Sequence, residues 1–316
     1  MKGAHRVICD RCGFKYWNHE TRKEWNGLRV CHGAGTNQCW EPRHPQDFVR
    51  ARPDRQTVRD PRPEGADIFI STLQSETTAL VARFTDDPGP IRHNIINRPV
   101  YALKQAGLWS KLTGIWLPGH DAQATQRNWI SDEYNLAVSG APVFTGDRGY
   151  QGVVGDDTAY LDTGVDQTDL EQNDHAIGVL TALDTNPALA ADMGTSQLSI
   201  TSRGSGNFAT RSANGTIKDV TIGTSLGLFS ISRSSAAGYQ KYLNGVLVDS
   251  ATQASAAMTS QNILLLARNN GSGAAVFASG RPVYAAYVCN QALSAADTAA
   301  IYTIIRDYCF SVGATF

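Results

Sequence analysis

Residues 226–248 read LGLFSISRSSAAGYQKYLNGVLV. Two runs of β-prone side chains, Leu226–Ser232 and Gln240–Val248, flank a cluster of Ser, Ala and Gly, and the second contains Asn244-Gly245. An Asn-Gly pair adopts the left-handed backbone of a two-residue hairpin turn at little cost, so the second run is predicted to fold back on itself. The same grammar extends outward. Ala159–Asp162, Ala176–Leu183, Gln197–Ser202, Ile263–Ala267 and Val283–Cys289 are further short β-like runs between Gly, Asn, Asp and Ser clusters, with a second turn signal at Asn214-Gly215. Many short strands with such turns predict a sandwich or jelly roll. No repeat of 20–50 residues points to a solenoid or propeller.

Helical spacing occurs at the borders of this region. Val100, Leu103, Ala106, Leu108 and Leu112 predict a helix over Arg98–Leu112, with Pro99 in its first turn. A short helix is expected over Ala122–Trp129, with Asp121 as N-cap. A closing helix is expected over Ala295–Cys309, where Ser294 and Asp297 have the spacing of a capping box. Upstream, Ile68–Phe84 is moderately apolar and is followed by a break at DDPGP, residues 86–90.

The chain has 316 residues, a length that suits two domains, and its formal net charge is −1. That balance hides a partition. Residues 1–66 carry 13 basic against 8 acidic side chains, a net of +5, and the remainder carries 15 against 21, a net of −6. A small basic module followed by a large, nearly neutral one is expected. A uniformly basic coat for nucleic acid is excluded. No apolar run approaches the roughly 20 residues of a membrane span. The start, MKGAHRVICDRCG, reaches cysteines before any apolar core and does not read as a secretory signal.

Cys9 and Cys12 form a C-x-x-C knuckle, and Cys31 and Cys39 follow after a further 18 residues. Two cysteine pairs at this separation have zinc-ribbon spacing, and four soft ligands suit a tetrahedral, structural zinc site. Seven residues separate Cys31 from Cys39, more than the usual two to four, so His32 and His44 stand as substitutes for the fourth ligand. Two disulfides, or four thiols without metal, are the alternative readings. So short a segment cannot bury a core sufficient to fold alone, which favours a metal staple.

Residues 41–65 read EPRHPQDFVRARPDRQTVRDPRPEG. Prolines that fix φ and remove donors favour an extended arm. Arg43, Arg50, Arg52, Arg55, Arg59 and Arg62 are its candidate docking residues, and Asp47, Asp54, Asp60 and Glu64 among them favour a protein partner over nucleic acid. Catalytic signals are weak. No E-x-D-x-x-E string of the common jelly-roll glycanases occurs, and the last of seven glutamates is Glu171. G-x-S-x-G and H-E-x-x-H are absent, and His93, His120 and His175 are widely spaced. The aspartate-rich string Gly155–Asp169 does not meet the D-x-[DN]-x-[DN]-G calcium pattern and reads as solvated turns. No enzyme is expected.

Two stretches resemble known proteins. Cys9–Phe14 (CDRCGF), Glu24–Cys31 (EWNGLRVC) and Cys39–Asp47 (CWEPRHPQD) are similar to a small cysteine-rich module at the start of many tailed-phage proteins. The family form has a second C-x-x-C where this chain has HGAGTNQ between Cys31 and Cys39. VYALKQAGLWSKLTGIWL (100–117), AQATQRNWI (122–130), FTGDRGYQG (144–152), AYLDTG (159–164), YLNGVLVDS (242–250) and ALSAADTAAIYTIIRDY (292–308) resemble phage virion proteins with a concanavalin-like or laminin-G-like domain. The resemblance implies a mainly β chain: a zinc-ribbon-like module at 1–40, an extended Arg/Pro arm and linker at 41–96, and a jelly roll with short flanking helices at 97–316. It implies a virion component with a jelly-roll body. The stapled module and the Arg/Pro arm are expected to dock on capsid, neck or tail proteins, in multiple copies or as a homo-oligomer, with the jelly roll projecting and a host surface glycan as its accessory partner. A lectin or glycan-active enzyme is the alternative. Trp109, Trp116 and Trp129 would stack on sugars in that case, and pack the helices onto the sandwich otherwise.

Overall fold

The computed structural model describes residues 3–33, 36, 38–44 and 73–316. The chain divides into two units, Met1–Phe69 and Ile70–Phe316. Arg50, Arg52, Arg55, Arg59 and Arg62 lie outside the described residues, while Arg43 is exposed.

The first unit holds two short hairpins. β1 (Arg6–Ile8) pairs with β2 (Lys15–Trp17), and β3 (Thr21–Lys23) pairs with β4 (Arg29–Cys31). Val30 is its one buried aliphatic side chain among the described residues, packed with Cys9 and Cys31.

The second unit opens with α1 (Ser75–Val81) and α2 (Pro90–Gln105). The expected linker is therefore folded over much of its C-terminal half, and Leu80 and Ile96 are buried in the body's core. The expected start of α2 at Arg98 is corrected by Pro90. It takes the first helical position, where a missing N–H costs nothing, after Gly89 at φ +82°. Pro99 instead lies inside the helix, buried. The helix also ends early, because Gly107 at φ +67° turns the chain into β5 (Leu112–Trp116). α3 (Ala122–Gln126) is capped by Asp121, whose Oδ1 accepts from Ala124 N at 2.6 Å.

The strands that follow are β6 (Ala137–Ser139), β7 (Val143–Thr145), β8 (Gly149–Gln151), β9 (Tyr160–Asp166) and β10 (His175–Thr181). Next come β11 (Met193–Gly194), β12 (Ser199–Gly204), β13 (Asn207–Arg211), β14 (Lys218–Thr221) and β15 (Gly227–Arg233). β16 (Gly238–Leu243), β17 (Val246–Thr252), β18 (Asn262–Leu265), β19 (Arg268–Asn269), β20 (Ala275–Val276) and β21 (Pro282–Cys289) complete the set. One antiparallel sheet runs β17-β16-β15-β10-β21-β8-β7, with β5 also on β21; a second runs β14-β13-β12-β11-β18-β9-β6. The body is a β-sandwich, as the strand spacing predicts.

The central strands of the first sheet are buried on both faces. Ile177, Val179, Phe229, Ile231, Ala286 and Val288 meet Met193, Ile200, Phe208 and Ile263 of the second sheet. Ala176, Leu180, Leu228, Tyr284, Tyr287 and Cys289 on the opposite face meet Val100 and Leu103 of α2 and Ile301, Ile305 and Tyr308 of the closing helix α4 (Ala295–Ser311). Helices, sheet and sheet thus form three layers. Ser294 Oγ accepts from Asp297 N at 3.1 Å and Asp297 Oδ2 accepts from Ser294 N at 3.0 Å, the capping box expected for α4. Trp116 and Trp129 are buried, Trp109 is partly buried, and Trp129 meets Tyr308 edge-on at 5.1 Å. These tryptophans pack helices and sheet. No described helix is long and apolar enough to cross a membrane.

The two turn signals have different outcomes. Asn244 and Gly245 sit at φ +53° and +77° between β16 and β17, the two-residue turn expected there. Asn214-Gly215 lies in a longer loop between β13 and β14, where Asn214 Oδ1 accepts from Thr216 N and Ala213 takes φ +47°. The Asn side chain there closes a local turn in place of a tight hairpin.

A buried ion pair joins two distant loops. Arg281 Nη1 lies 3.0 and 3.1 Å from the two Asp192 oxygens, and the side chains are 1% and 0% exposed. Ser279 Oγ and Ser202 N and Oγ also donate to Asp192, and Arg281 Nη2 donates to the carbonyls of Thr185 and Arg203. Removing one partner strands the other charge in the interior. Arg281→Ala is expected to cost about 3–5 kcal/mol in urea unfolding. Arg306→Ala, which breaks the exposed pair with Asp307, should change stability by less than about 1 kcal/mol.

Candidate metal centre

The loop between β1 and β2 places Cys9 and Cys12 in a tight turn. Gly13, at φ +73°, lets its N–H reach Cys9 O at 2.9 Å, and Cys9 N donates to Phe14 O at 2.9 Å. Cys31 ends β4, and the loop beyond it returns Cys39. Asp10 ties the two hairpins together, because its N donates to Arg29 O at 3.0 Å and its Oδ2 accepts from Arg29 N at 2.7 Å. The four sulfurs of Cys9, Cys12, Cys31 and Cys39 all lie within 4.8 Å of one another, with Cys12 Sγ and Cys31 Sγ at 4.0 Å.

Those distances suit one thiophilic ion. Sulfurs bound tetrahedrally at about 2.3 Å stand about 3.8 Å apart. A disulfide needs about 2.05 Å, and all four cysteines are free thiols. Backbone N–H groups also point at sulfur: Cys31 N donates to Cys9 Sγ and Cys39 N to Cys31 Sγ, both at 3.3 Å. Burial opposes ionisation of Cys9, but the backbone donors of Cys12, Cys31 and Arg11 outweigh it and bring the thiol down to about 6. Cys39 moves the other way, to about 12, because its proton is shared with the Cys31 sulfur and neighbouring thiolates repel its charge. Four thiolates this close need a cation between them.

His32 and His44 are not among the gathered ligand atoms. The His32 ring packs edge-on against Trp40 at 4.6 Å, and that of His44 against Trp25 at 4.2 Å. Arg11 clamps the exit of the module: its Nη2 lies 3.1 Å from both Glu24 Oε2 and Glu41 Oε2, and Glu24 Oε1 accepts from Glu41 N at 2.9 Å. Nothing in the sequence spacing marks Glu24 as buried. Its signal is the charge pairing with Arg11, which only the fold reveals.

The histidines, aspartates and cysteines of the body that the sequence singles out make local contacts or are buried. His93 Nε2 sits 2.6 Å from Asp87, and His120 lies against Asp121 and Phe84. In the aspartate-rich segment, Asp156, Asp162 and Asp166 accept from the backbone N–H of Thr158, Gly164 and Thr168, so each closes a local turn. Buried Cys289 and Cys309 have thiols pushed up by desolvation, Cys309 to about 12.

His175 and Ser212 form a pair that sequence reasoning misses. His175 Nε2 is 3.0 Å from Ser212 Oγ, and Nδ1 is 2.8 Å from Glu171 O, the arrangement of a serine nucleophile and its base. Both residues are fully buried, and Arg233 Nε also donates to Ser212 Oγ at 3.1 Å. No substrate reaches the hydroxyl, so the pair is a structural polar link between β10 and the loop after β13.

No family model and no curated protein matches the chain. Solved structures do. The binding domain of botulinum neurotoxin serotype D is 9% identical, with a TM-score of 0.45, over 62% of this chain and 52% of that one. The structure described as HCR/D-Sa-GBL1/C is 13% identical, with a TM-score of 0.43, over 61% and 52%. Domain 4 of the extracellular arabinanase AbnA from Geobacillus stearothermophilus, solved with arabinotriose, is 14% identical, with a TM-score of 0.43, over 60% and 98%. The match spans about half the length of the first two of these structures.

Two outcomes are expected. Metal analysis of purified protein should return about one thiophilic ion per chain; Cys9→Ser should abolish it and disorder the first unit, while the thermal transition of the body stays in place. Burial lowers the His175 imidazole to about 4. The unfolded chain, with histidine near 6.5, binds the extra proton first as pH falls. The associated stability is complete above about pH 6.5 and declines toward pH 4, by roughly 2–3 kcal/mol at pH 4.5. Urea unfolding of wild type and His175→Gln at pH 7 and 4.5 checks this, with a smaller pH dependence expected for the variant.

Proposed function

We propose that this chain is a non-catalytic component of a bacteriophage virion. Its cysteine module, stapled by zinc through Cys9, Cys12, Cys31 and Cys39, docks on other virion proteins, and its β-sandwich projects for attachment to the host surface. The observation that carries the reading is the division of labour along the chain. The first unit gathers four sulfurs and, among its described residues, buries one aliphatic side chain, which suits folding around a metal, and the second has a layered core of its own. The sequence of the first unit also carries the Arg/Pro segment, residues 41–65, whose guanidinium groups suit two-pronged bonds to carboxylates on a partner. The quoted motifs at both ends of the chain, in this order, support the virion setting.

Zinc is the ion that a closed set of four thiolates favours. Docking through the first unit makes the body dispensable for attachment to the particle and free to face the host. The polar side chains inside the sandwich support a binding role rather than catalysis, since His175, Ser212, Asp192 and Arg281 are all held by protein partners.

Removing residues 1–69 is expected to leave a soluble, folded body that no longer joins particles. Normal incorporation of that truncated protein would overturn the assignment and make the sandwich the docking face.

A further inference from the structure

The second sheet presents its outer face away from the first. In β13, Phe208 and Thr210 are buried, so Asn207, Ala209 and Arg211 point outward. Ala209 pairs with Asp219 of β14 on one side and Thr201 of β12 on the other. The segment 188–191 and the β19–β20 hairpin complete the walls of a groove of about 280 Å³ above this row. Its floor is made of small side chains, Ala190, Ala191 and Ala209, and its rim of exposed Leu189 and Ile217.

Two arginines enter this groove, and among the described residues neither has a carboxylate partner within 4 Å. Arg211 donates from Nε to Gly215 O at 3.0 Å and from Nη1 to Ser199 Oγ at 3.1 Å, which leaves Nη2 unused. The Arg268 guanidinium makes no hydrogen bond to the described residues and lies over the Phe277 ring at 4.7 Å. Phe277 itself is held at φ +60°, a conformation costly for a bulky side chain, and that backbone presents its ring beneath the guanidinium. Burial, together with the nearby charge of Arg268 and against the pull of Asp219, lowers Arg211 to about 10. Two partly desolvated guanidiniums with unused donors, in each other's field and only partly offset by Asp219, favour an anion between them.

We propose that this groove binds a carboxylate-bearing sugar residue of a host-surface saccharide. The inference deepens the attachment reading and rests on it for its biological setting. Guanidinium forks bond carboxylates in a bidentate way, which assigns the acid group to Arg211 and Arg268. The alanine floor and the Leu189 and Ile217 rim suit the apolar face of a pyranose ring, while Asn207, Ser205 and Thr201 offer partners for its hydroxyls. Asp219, in the same groove, accepts from a sugar hydroxyl and disfavours the higher charge of a phosphate. The volume matches about one or two sugar rings, not an extended peptide.

Calorimetry on the full chain tests this against three probes: oligosaccharides containing uronic or sialic acid, the same oligosaccharides with the carboxyl group reduced to an alcohol, and inorganic phosphate or acetate alone. At least one acidic oligosaccharide should bind, with at least tenfold loss on carboxyl reduction. Arg268→Gln should lose at least tenfold, and Ala209→Phe, which fills the groove from its floor, should abolish binding, each with an unchanged melting profile. Asp219→Asn should bind more tightly. Equal binding of the reduced sugar, binding of phosphate or acetate as tight as that of the saccharide, binding that survives both Arg268→Gln and Ala209→Phe, or no binding to any acidic saccharide would each overturn the proposal. Incorporation of Arg268→Gln protein into particles is scored separately. Normal incorporation with lost binding supports the groove, and failure of the ligand panel alone leaves the docking assignment standing.

Discussion

Burial of the first sheet on both faces is the constraint that organises the body. β10 is buried at every position, and its Gly178 is the point where a side chain is forbidden. A Cβ there would come within 2.3 Å of the Tyr287 ring from the neighbouring strand β21. Tyr287 therefore lies flat across β10 and fills the layer between sheet and helices. β21 can carry β8 at its start and β5 at its end because both lie on the edge opposite β10. With α2 and α4 covering one face and the second sheet the other, the central strands of the first sheet have no free surface to give to a ligand. The outer face of the second sheet is open, and the groove lies there.

The first unit obeys the opposite constraint. A domain of this size buries too little apolar surface to offset the entropy of ordering its chain. Val30 is the single buried aliphatic side chain described there, so the cohesion must come from elsewhere. The four sulfurs converge from two hairpins, and Asp10 and the Arg11–Glu24–Glu41 cluster brace the loops that carry them. A metal bound at that point would do the work that a core does in the body, because its binding free energy would be folding free energy.

Much of this was legible in the residues. Strand runs bounded by turn clusters gave the sandwich, since alternation and β-branched content report burial directly. The capping signals at Ser294 and Asp121 were readable because a cap is a local hydrogen bond between residues three apart. The cysteine spacing points to the four sulfurs that the fold gathers, although the long loop before Cys39 draws attention to His32 and His44. The boundary at Pro90 was misread because Pro and Gly mark both breaks and helix starts, and only the apolar residues that follow distinguish them. Contacts between distant segments were not legible at all. Arg281 and Asp192 are far apart in sequence, and so are Arg211 and Arg268, and no spacing rule connects either pair.

The same absence of sequence signal makes the partnering of these charges informative once the fold is known. Most cations buried in the body have protein partners. Arg281 holds Asp192, Lys241 Nζ lies 3.0 Å from Asp249 and donates to Lys218 O, and Arg233 donates to the carbonyls of Ser212, Ser235 and Gln253. Each such group recovers inside the protein the solvation it lost. Arg211 and Arg268 share the partial burial but not that recovery. Arg211 spends two donors on neutral oxygens, and Arg268 has only an aromatic face. Both guanidiniums line the groove with donors left over. An anion of matching shape could take those donors in a two-pronged way, which is why the two arginines, rather than the tryptophans that pack the helices, carry the proposed recognition role.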